Sequence, residues 1–382
     1  MPPITFVKRR FGDSYLIWLQ KSNLYLQFEE PAWFVFSRLQ KRYAAGTIAG
    51  ECAVRYGMTR IESLRFVNDI LSMVESINQP ADFQWRNQKY PVEINDHPFI
   101  PYAVHYYLLG ENPISFSFET RQLENYIHPL LEHLEIAARD SSTAFFELSG
   151  YDRKVIFRFN GQVKGVWAND ESHLVKGLIF MHLINVLYNR TDDFWLMTVH
   201  ASAVTNGQKT ILFPAGQGCG KTTIAALLQD RGFKLVSDDF VPIDKYSFSA
   251  YHFPVAMSVK PGSAQIVSDI FPGIKNKPDH VISPDKTVRY ISPGNSSGIF
   301  KSAYPVKEFV FIQYDKSVDL YWEKIEMLQG FKMLLDESWT SPDEGIAGTL
   351  FDRLPQWSFF KLTYSDNRKA LDTLVDLFNE AG

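Results

Sequence analysis

Residues 211–228, ILFPAGQGCGKTTIAALL, place three glycines and a lysine between two apolar runs. Residues 215–222 fit the phosphate-binding pattern G-x-x-x-x-G-K-[ST], with alanine in place of the first glycine. Glycine lets several backbone N–H groups converge on an anion, because it adopts positive φ and carries no Cβ. The pattern therefore predicts a strand, a phosphate-binding loop and a helix whose positive end faces the anion.

The polar side chains of this loop favour a nucleotide with a divalent cation. Lys221 is expected to reach the β- and γ-phosphates, and Thr222 is expected to hold Mg²⁺. We interpret Cys219 as a tolerated small residue rather than a nucleophile. The predicted cofactors are ATP and Mg²⁺, and the predicted nucleotide cradle comprises Ala215, Gly216, Gln217, Gly218, Cys219, Gly220, Lys221, Thr222 and Thr223.

Two aspartates end the next apolar run, FKLVSDDFVPID (residues 233–244), with Asp238 only 17 positions after Lys221. Acidic residues at a strand end beside a phosphate loop serve the metal or orient the nucleophile. Neighbouring strand residues point to opposite faces, so the two carboxylates are expected to have different roles. We assign Asp238 as the base that accepts a hydroxyl proton and Asp239 as a metal ligand with Thr222; the reverse assignment stays open.

Residues 199–244 resemble the HPr kinase/phosphorylase family, which shares its P-loop core with phosphoenolpyruvate carboxykinases. In that family a histidine opens the hairpin strand, the cradle follows, and an Asp-Asp pair ends the next strand. The matching positions are His200, residues 215–222 and Asp238-Asp239. The resemblance implies an α/β kinase core with a mixed β-sheet, in which His200 approaches the metal or the transferred phosphoryl group.

A nearer resemblance is to the HPr-kinase-like branch linked to peptide and polysaccharide gene clusters. It rests on FPVAMSVKPGS (residues 253–263), where Lys260 follows an apolar strand and would clamp phosphate oxygens. The chain lacks the glycine-rich C-terminal signature with its acidic residue, so neither HPr as substrate nor the reverse phosphorylase reaction is implied.

Arg289 is a further candidate for the reaction centre, as a clamp on the transition state, because its guanidinium fork matches phosphate oxygens. It belongs to residues 262–298, which are rich in proline, glycine and serine and show little periodicity. This composition predicts a loop on the substrate side.

The first 80 residues predict a separate small unit. Two short strands flank a turn at residues 21–23, and three amphipathic helices follow, the third starting at a capping box of Thr59 and Glu62. The pattern is typical of a winged helix and resembles the PqqD-like fold, which in other systems grips leader peptides. We therefore predict a PqqD-like peptide-binding module over 1–82, a linker over 83–100 and an HPr-kinase-like domain over 101–382.

Composition excludes several classes of partner for this chain of 382 residues. A net charge of −4 gives no electrostatic reason to expect nucleic acid. The two cysteines, Cys52 and Cys219, form neither a disulfide framework nor a zinc motif. There is no signal-peptide pattern and no apolar run long enough for a bilayer. We expect a cytoplasmic protein with no membrane partner, and a possible homo-oligomer because the relatives tend to be oligomeric.

Three functions compete on these features. The favoured one is an ATP-dependent kinase that phosphorylates a hydroxyl, foremost a Ser or Thr of a peptide or protein docked on the N-terminal module. The second is a small-molecule kinase on the same core. The third is a non-catalytic nucleotide-binding switch, which the Asp pair argues against because a switch needs no base beside the metal. The acceptor and the choice between ATP and GTP stay open.

Overall fold

The structure is a computed structural model that describes residues 4–80, 94, 98–138, 141–283, 286–293 and 303–380. The chain forms two compact units, one of Met1–Asn87 with Thr340–Pro355 and the other of Gln88–Trp339 with Gln356–Gly382. Most of the predicted linker lies outside the described residues. Both units combine helices with β-sheets, so the chain is α/β with mixed sheets, as the sequence predicts.

The first unit packs three helices on a three-stranded antiparallel sheet of order β1-β2-β3. The predicted hairpin and the capping box of Thr59 and Glu62 are confirmed, whereas β1 was not foreseen. Buried Ile17, Phe36 and Val67 contribute to one core between the sheet and the helices. The elements are β1 (Phe6–Phe11), β2 (Ser14–Leu19), β3 (Leu24–Glu29), α1 (Glu30–Gln40), α2 (Ala45–Tyr56) and α3 (Arg60–Ile77).

A helix from far along the chain, α9 (Glu344–Arg353), also belongs to this first unit. Arg9 on β1 forms an ion pair of 2.6 Å with Asp352, and the rings of Tyr25 and Phe351 meet edge to face. The sequence pattern had grouped residues 340–355 with the C-terminal domain. No local signal shows which distant strand a short amphipathic helix will cover.

The second unit begins with a six-stranded sheet of order β6-β4-β5-β7-β8-β9. The predicted Asn160-Gly161 turn joins β8 to β9, and both residues have positive φ, as a two-residue hairpin of type I′ requires. The elements are β4 (Ala103–Leu109), β5 (Asn112–Phe118), α4 (Arg121–Leu131), β6 (Glu135–Ile136), β7 (Ala144–Tyr151), β8 (Lys154–Phe159), β9 (Gln162–Ala168) and α5 (Ser172–Tyr188).

The central sheet has ten strands in the order β13-β11-β12-β19-β15-β14-β10-β21, with β22 joining β19 to β20. It is mixed, because β12–β19 and β19–β22 pair in parallel while β11–β12 and β11–β13 are antiparallel. Its elements are β10 (Trp195–Val199), β11 (Ala201–Thr205), β12 (Thr210–Pro214), α6 (Lys221–Asp230), β13 (Lys234–Ser237), β14 (Val241–Asp244), β15 (Ser249–Tyr251), β19 (Ala303–Tyr314), β20 (Leu320–Ile325), α8 (Met327–Asp336), β21 (Ser338–Thr340), β22 (Ser358–Tyr364) and α10 (Asn367–Asn379).

The loop predicted over residues 262–298 is wrong for most of its length. The structure has α7 (Pro261–Ile270), β17 (His280–Ser283) and β18 (Lys286–Ile291) there, and β18 lies between β17 and β16 (Met257–Val259). Pro261 occupies the first turn of α7, where its missing N–H costs nothing. The prolines and glycines therefore mark element boundaries rather than a continuous loop; residues 284–285 and 294–298 lie outside the described part.

The packed face of helix α8 gives a stability test for the second unit. A Cβ at Gly330 would lie 2.2 Å from the ring of Phe359, whereas a Cβ at Gly177 in α5 meets no atom within 4 Å. We predict that Gly330→Ala destabilises this unit by about 1–3 kcal/mol through overpacking. Gly177→Ala should instead stabilise it by roughly 0.5–1 kcal/mol, because helical glycine loses more backbone entropy. Urea unfolding of both variants measures this, and equal effects would contradict the packing.

Candidate functional site

The glycine-rich loop joins β12 to α6, as the sequence predicts. Gly218 and Gly220 adopt φ of 90° and 99°, a conformation that side chains other than glycine rarely take. A Cβ at Gly220 would lie 2.7 Å from the hydroxyl of Tyr364, and one at Gly218 would lie 3.5 Å from Nζ of Lys260. The loop thus needs these glycines for its backbone shape, and Gly220 also for the close approach of Tyr364.

Lys221 is buried at the first position of α6, and its amine turns back into the loop. Nζ donates hydrogen bonds to the carbonyl oxygens of Ala215 and Gly216, and it lies 3.4 Å from Nε2 of His200. Burial lowers the pKa of Lys221, while nearby carboxylates act in the opposite direction. A cation is therefore placed among the backbone groups of the loop.

Asp238 is a buried carboxylate that accepts hydrogen bonds from three directions. The Thr222 hydroxyl donates at 3.0 Å, the Ser258 backbone N–H at 3.3 Å, and the Ser202 hydroxyl donates as well. Burial raises the pKa of Asp238, with the hydrogen bonds from Ser202 and Thr222 opposing the rise. The partner of Thr222 is therefore Asp238, which favours the reverse of our first assignment of the two aspartates.

Asp239 has a φ of 80°, which is rare for a residue other than glycine and typical of functional sites. Its carboxylate lies 2.6 Å from Nζ of Lys176 and 3.0 Å from Nε2 of His200. Burial alone would raise the pKa of Asp239, but Lys176 and His200 hold it well below the usual value. The two carboxylates thus have different partners, but not through the strand alternation that the sequence predicts: β13 ends at Ser237, and a bend with a left-handed backbone at Asp239 separates them.

His200 lies between the carboxylates of Asp239 and Glu337. It lies between β10 and β11, with Nδ1 3.1 Å from the Glu337 carboxylate. Its backbone N–H donates to the Glu337 carbonyl at 2.7 Å. Both ring nitrogens of His200 thus face carboxylates, and this fixes the ring beside the loop. Glu337, just after α8, carries no motif in the sequence and was not predicted.

Besides Lys221, three lysines lie near the loop and Asp239. Lys260 follows β16 beside Gly218, as predicted, while Lys176 on α5 and Lys286 on β18 were missed. Burial lowers the pKa of Lys286, with Lys176 next in effect and the other lysines adding to it. Among the described residues, neither Lys260 nor Lys286 pairs with a carboxylate. Two cations thus remain for an anionic ligand.

Arg289 is not brought to this cluster. It forms an ion pair of 2.7 Å with Asp279, and it alternates along β18 with Lys286 and Tyr290, which face the site. Three other residues predicted for the nucleotide cradle lie in the loop and in α6. Thr223 is buried, Gln217 is exposed, and the carbonyl of half-buried Cys219 accepts a hydrogen bond of 3.1 Å from the Tyr314 N–H.

The residues around the loop could hold a phosphate chain and a divalent cation. The Thr222 hydroxyl and the Asp238 carboxylate are oxygen ligands of the kind Mg²⁺ prefers. Gly218 and Gly220 adopt positive φ in the loop, and Lys221 and Lys260 border it. The donor set therefore suits a polyphosphate chain with a hard divalent cation.

Comparison with known proteins identifies no family for this chain. A scan against models of protein families and a search of curated proteins both give no match. The likeness to HPr kinases therefore rests on the motif residues alone. Among the described residues, no helix combines the length and apolar character needed to cross a bilayer.

The Lys176–Asp239 pair can be tested by stability. Lys176→Met leaves His200 as the one described side chain at ion-pair distance from the Asp239 carboxylate. We expect the free energy of unfolding to fall by about 1–3 kcal/mol, less than for a fully buried pair because a third of the Asp239 side chain is exposed. The folded pKa lies below the unfolded value, so this stabilisation is complete at pH 7 and is lost as pH falls through the folded pKa.

Denaturant unfolding at several pH values provides the measurement, with Lys234→Met as control because Lys234 is exposed at the start of β13. A loss that is equal in the two variants, or that grows as the solution becomes acidic, would contradict the ion pair.

Proposed function

We propose that this protein is an ATP-dependent kinase that transfers the γ-phosphate to a hydroxyl group, on an HPr-kinase-like P-loop core. The observation that carries the proposal is the convergence of Lys221, the Thr222–Asp238 contact and the ionised Asp239 at one glycine-rich loop. A loop that only bound a structural anion would not need two carboxylates in different electrostatic states beside it.

In this proposal the loop amides, Lys221 and Lys260 bind the phosphate chain of ATP. Thr222 and Asp238 would hold Mg²⁺, which supplies positive charge for the phosphates when bound. Burial makes Asp238 costly to ionise without a cation, so the carboxylate favours a divalent ion over water. Lys286 balances charge on the transferred phosphoryl group, the role first given to Arg289.

Asp239 is the proposed base. The acceptor hydroxyl donates a hydrogen bond to it and attacks the γ-phosphorus; the new O–P bond forms as the bond to ADP breaks, and the proton passes to Asp239. A low pKa makes this carboxylate a weak base, which suits a loose transition state where the proton moves late. Lys176 and His200 hold it ionised and in position.

Labelled ATP provides the direct test. The full chain is incubated with MgATP and a library of Ser- and Thr-containing peptides alongside small hydroxy compounds. Asp239→Asn should reduce transfer by about 10²–10⁴-fold while ATP binding persists. Asp238→Asn should instead weaken the dependence of ATP binding on Mg²⁺.

Full transfer in Asp239→Asn would refute the assignment of the base. Mg²⁺-dependent ATP binding without transfer to any acceptor would support the alternative of a nucleotide switch. Transfer only to small hydroxy compounds would support the small-molecule kinase.

Substitutions of the two cationic residues on β18, Lys286 and Arg289, distinguish their roles. Lys286→Met should lower kcat by about 10²-fold with little change in ATP affinity, because its charge is needed mainly in the transition state. Arg289→Met is the matched control, since Arg289 lies on the same strand but pairs with Asp279. A larger kinetic loss in Arg289→Met than in Lys286→Met would reverse the assignment.

A peptide acceptor is favoured by the sheet of the first unit. Within the described residues β3 pairs only with β2, so its other edge offers backbone groups to an added strand, as in PqqD-like domains. Leu24 on this strand is 43% exposed, which leaves an apolar contact for a bound peptide.

Hydrogen exchange tests this docking on the full chain. A peptide that serves as acceptor should slow amide exchange in residues 24–29, because strand addition gives these N–H groups new partners. Exchange in β20, an edge strand of the other unit, should stay unchanged. Protection in β20 alone, or none in either strand, would count against strand addition.

A further inference from the structure

Four chemically competent side chains converge on one side of the six-stranded sheet, apart from the loop described above. His105 lies on β4, Glu124 and His128 lie on α4, and Glu135 lies on β6. His105 Nδ1 is 2.6 Å from the Glu135 carboxylate, and its Nε2 is 2.7 Å from the Glu124 carboxylate. The side chains are partly open to solvent, with 17% of His105 and 39% of Glu135 exposed.

Within the described part of the chain, the second imidazole of this cluster, His128, has no carboxylate within hydrogen-bond distance. The His128 ring stacks on His105 with centroids 4.0 Å apart and planes 21° apart. Its Nδ1 lies 2.8 Å from the hydroxyl of buried Tyr107. Ligand atoms of His105, His128 and Glu135 all lie within 4.8 Å of one another. Tyr107 thus orients one nitrogen of His128, as outer-shell partners of metal-binding histidines do.

The donor set of this cluster is typical of zinc. Two imidazoles and the Glu135 carboxylate offer one ligand atom each, and neutral imidazole is the ligand form of histidine.

We propose that His105, His128 and Glu135 form a binding site for a divalent transition-metal ion, zinc in the first place, with Glu124 as the outer-shell partner of the other nitrogen of His105. The ion would take the position of a proton on His105, and that proton would leave to solvent. An ion pair of His105 with two glutamates explains three of the residues. It does not explain why a second imidazole is stacked within ligand distance and oriented by Tyr107.

The position of the cluster suggests a structural role for the ion. Residues just after His128 contact the chain that leads into β16: the Leu130 carbonyl accepts from the Ala256 N–H at 2.9 Å. His133 Nε2 lies 2.8 Å from the Pro254 carbonyl. An ion that joins β4, α4 and β6 would therefore stabilise the position of residues 254–256, which precede Lys260.

The test uses the full chain, stripped of metal by a chelator and titrated with zinc by calorimetry and with Co²⁺ by absorption spectroscopy. We expect one ion per chain, proton release on binding, and the intense visible bands of tetrahedral cobalt. His128→Ala and the near-isosteric Glu135→Gln should each weaken zinc binding by at least about 10²-fold. His280→Gln, a histidine on β17 outside the cluster, is the control and should bind like the wild type.

Circular dichroism checks that each variant is folded. Absence of stoichiometric zinc binding by the wild type would overturn the proposal, as would unchanged affinity in folded His128→Ala. Weak, non-saturating binding that also falls in His280→Gln would likewise overturn it, because the ion would then be adsorbing to surface histidines. Metal binding is read directly, so these outcomes do not depend on whether the chain is a kinase.

Discussion

A carboxylate that is buried away from water must be stabilised by hydrogen-bond donors or by a cation. In this site the constraint applies to Asp238. Hydroxyls from β11 and α6 and the N–H of Ser258 on β16 all turn toward it. Three elements are thereby held at the mouth of the glycine-rich loop. If Asp238 were lost, the loop would keep its glycines but lose the contact that fixes the Thr222 hydroxyl beside it.

The pKa shifts of two adjacent carboxyl groups, those of Asp238 and Asp239, have opposite directions. Asp238 is costly to ionise, whereas Asp239, turned by a left-handed backbone, is kept ionised by Lys176 and His200. Two adjacent residues of the same type thus have opposite pKa shifts, and the proposed division of metal binding and proton acceptance between them rests on this difference. This division depends on the bend at the end of β13, because a straight strand would simply place the two carboxylates on opposite faces.

The parts of the site that could be predicted are those with local sequence signals. Glycine spacing and the following lysine identified the loop, and the Asp pair after an apolar run identified the strand end. Lys176, Lys286 and Glu337 could not be found, because each reaches the site through tertiary packing of an element with no motif. The packing of α9 in the first unit could not be predicted either, because it also depends on tertiary contacts of an element with no motif. Arg289 was chosen for its chemistry, but strand alternation gives the inward position to Lys286.

The proposed binding of a nucleotide and its cation by the glycine-rich loop and Asp238 can be seen in a crystal structure with a non-hydrolysable ATP analogue and Mn²⁺, located by anomalous scattering. We expect the ion within about 2.2 Å of the Thr222 hydroxyl and an Asp238 oxygen, with the β- and γ-phosphates along the loop amides. An ion held by Asp239 alone, or a nucleotide bound away from residues 215–222, would contradict it.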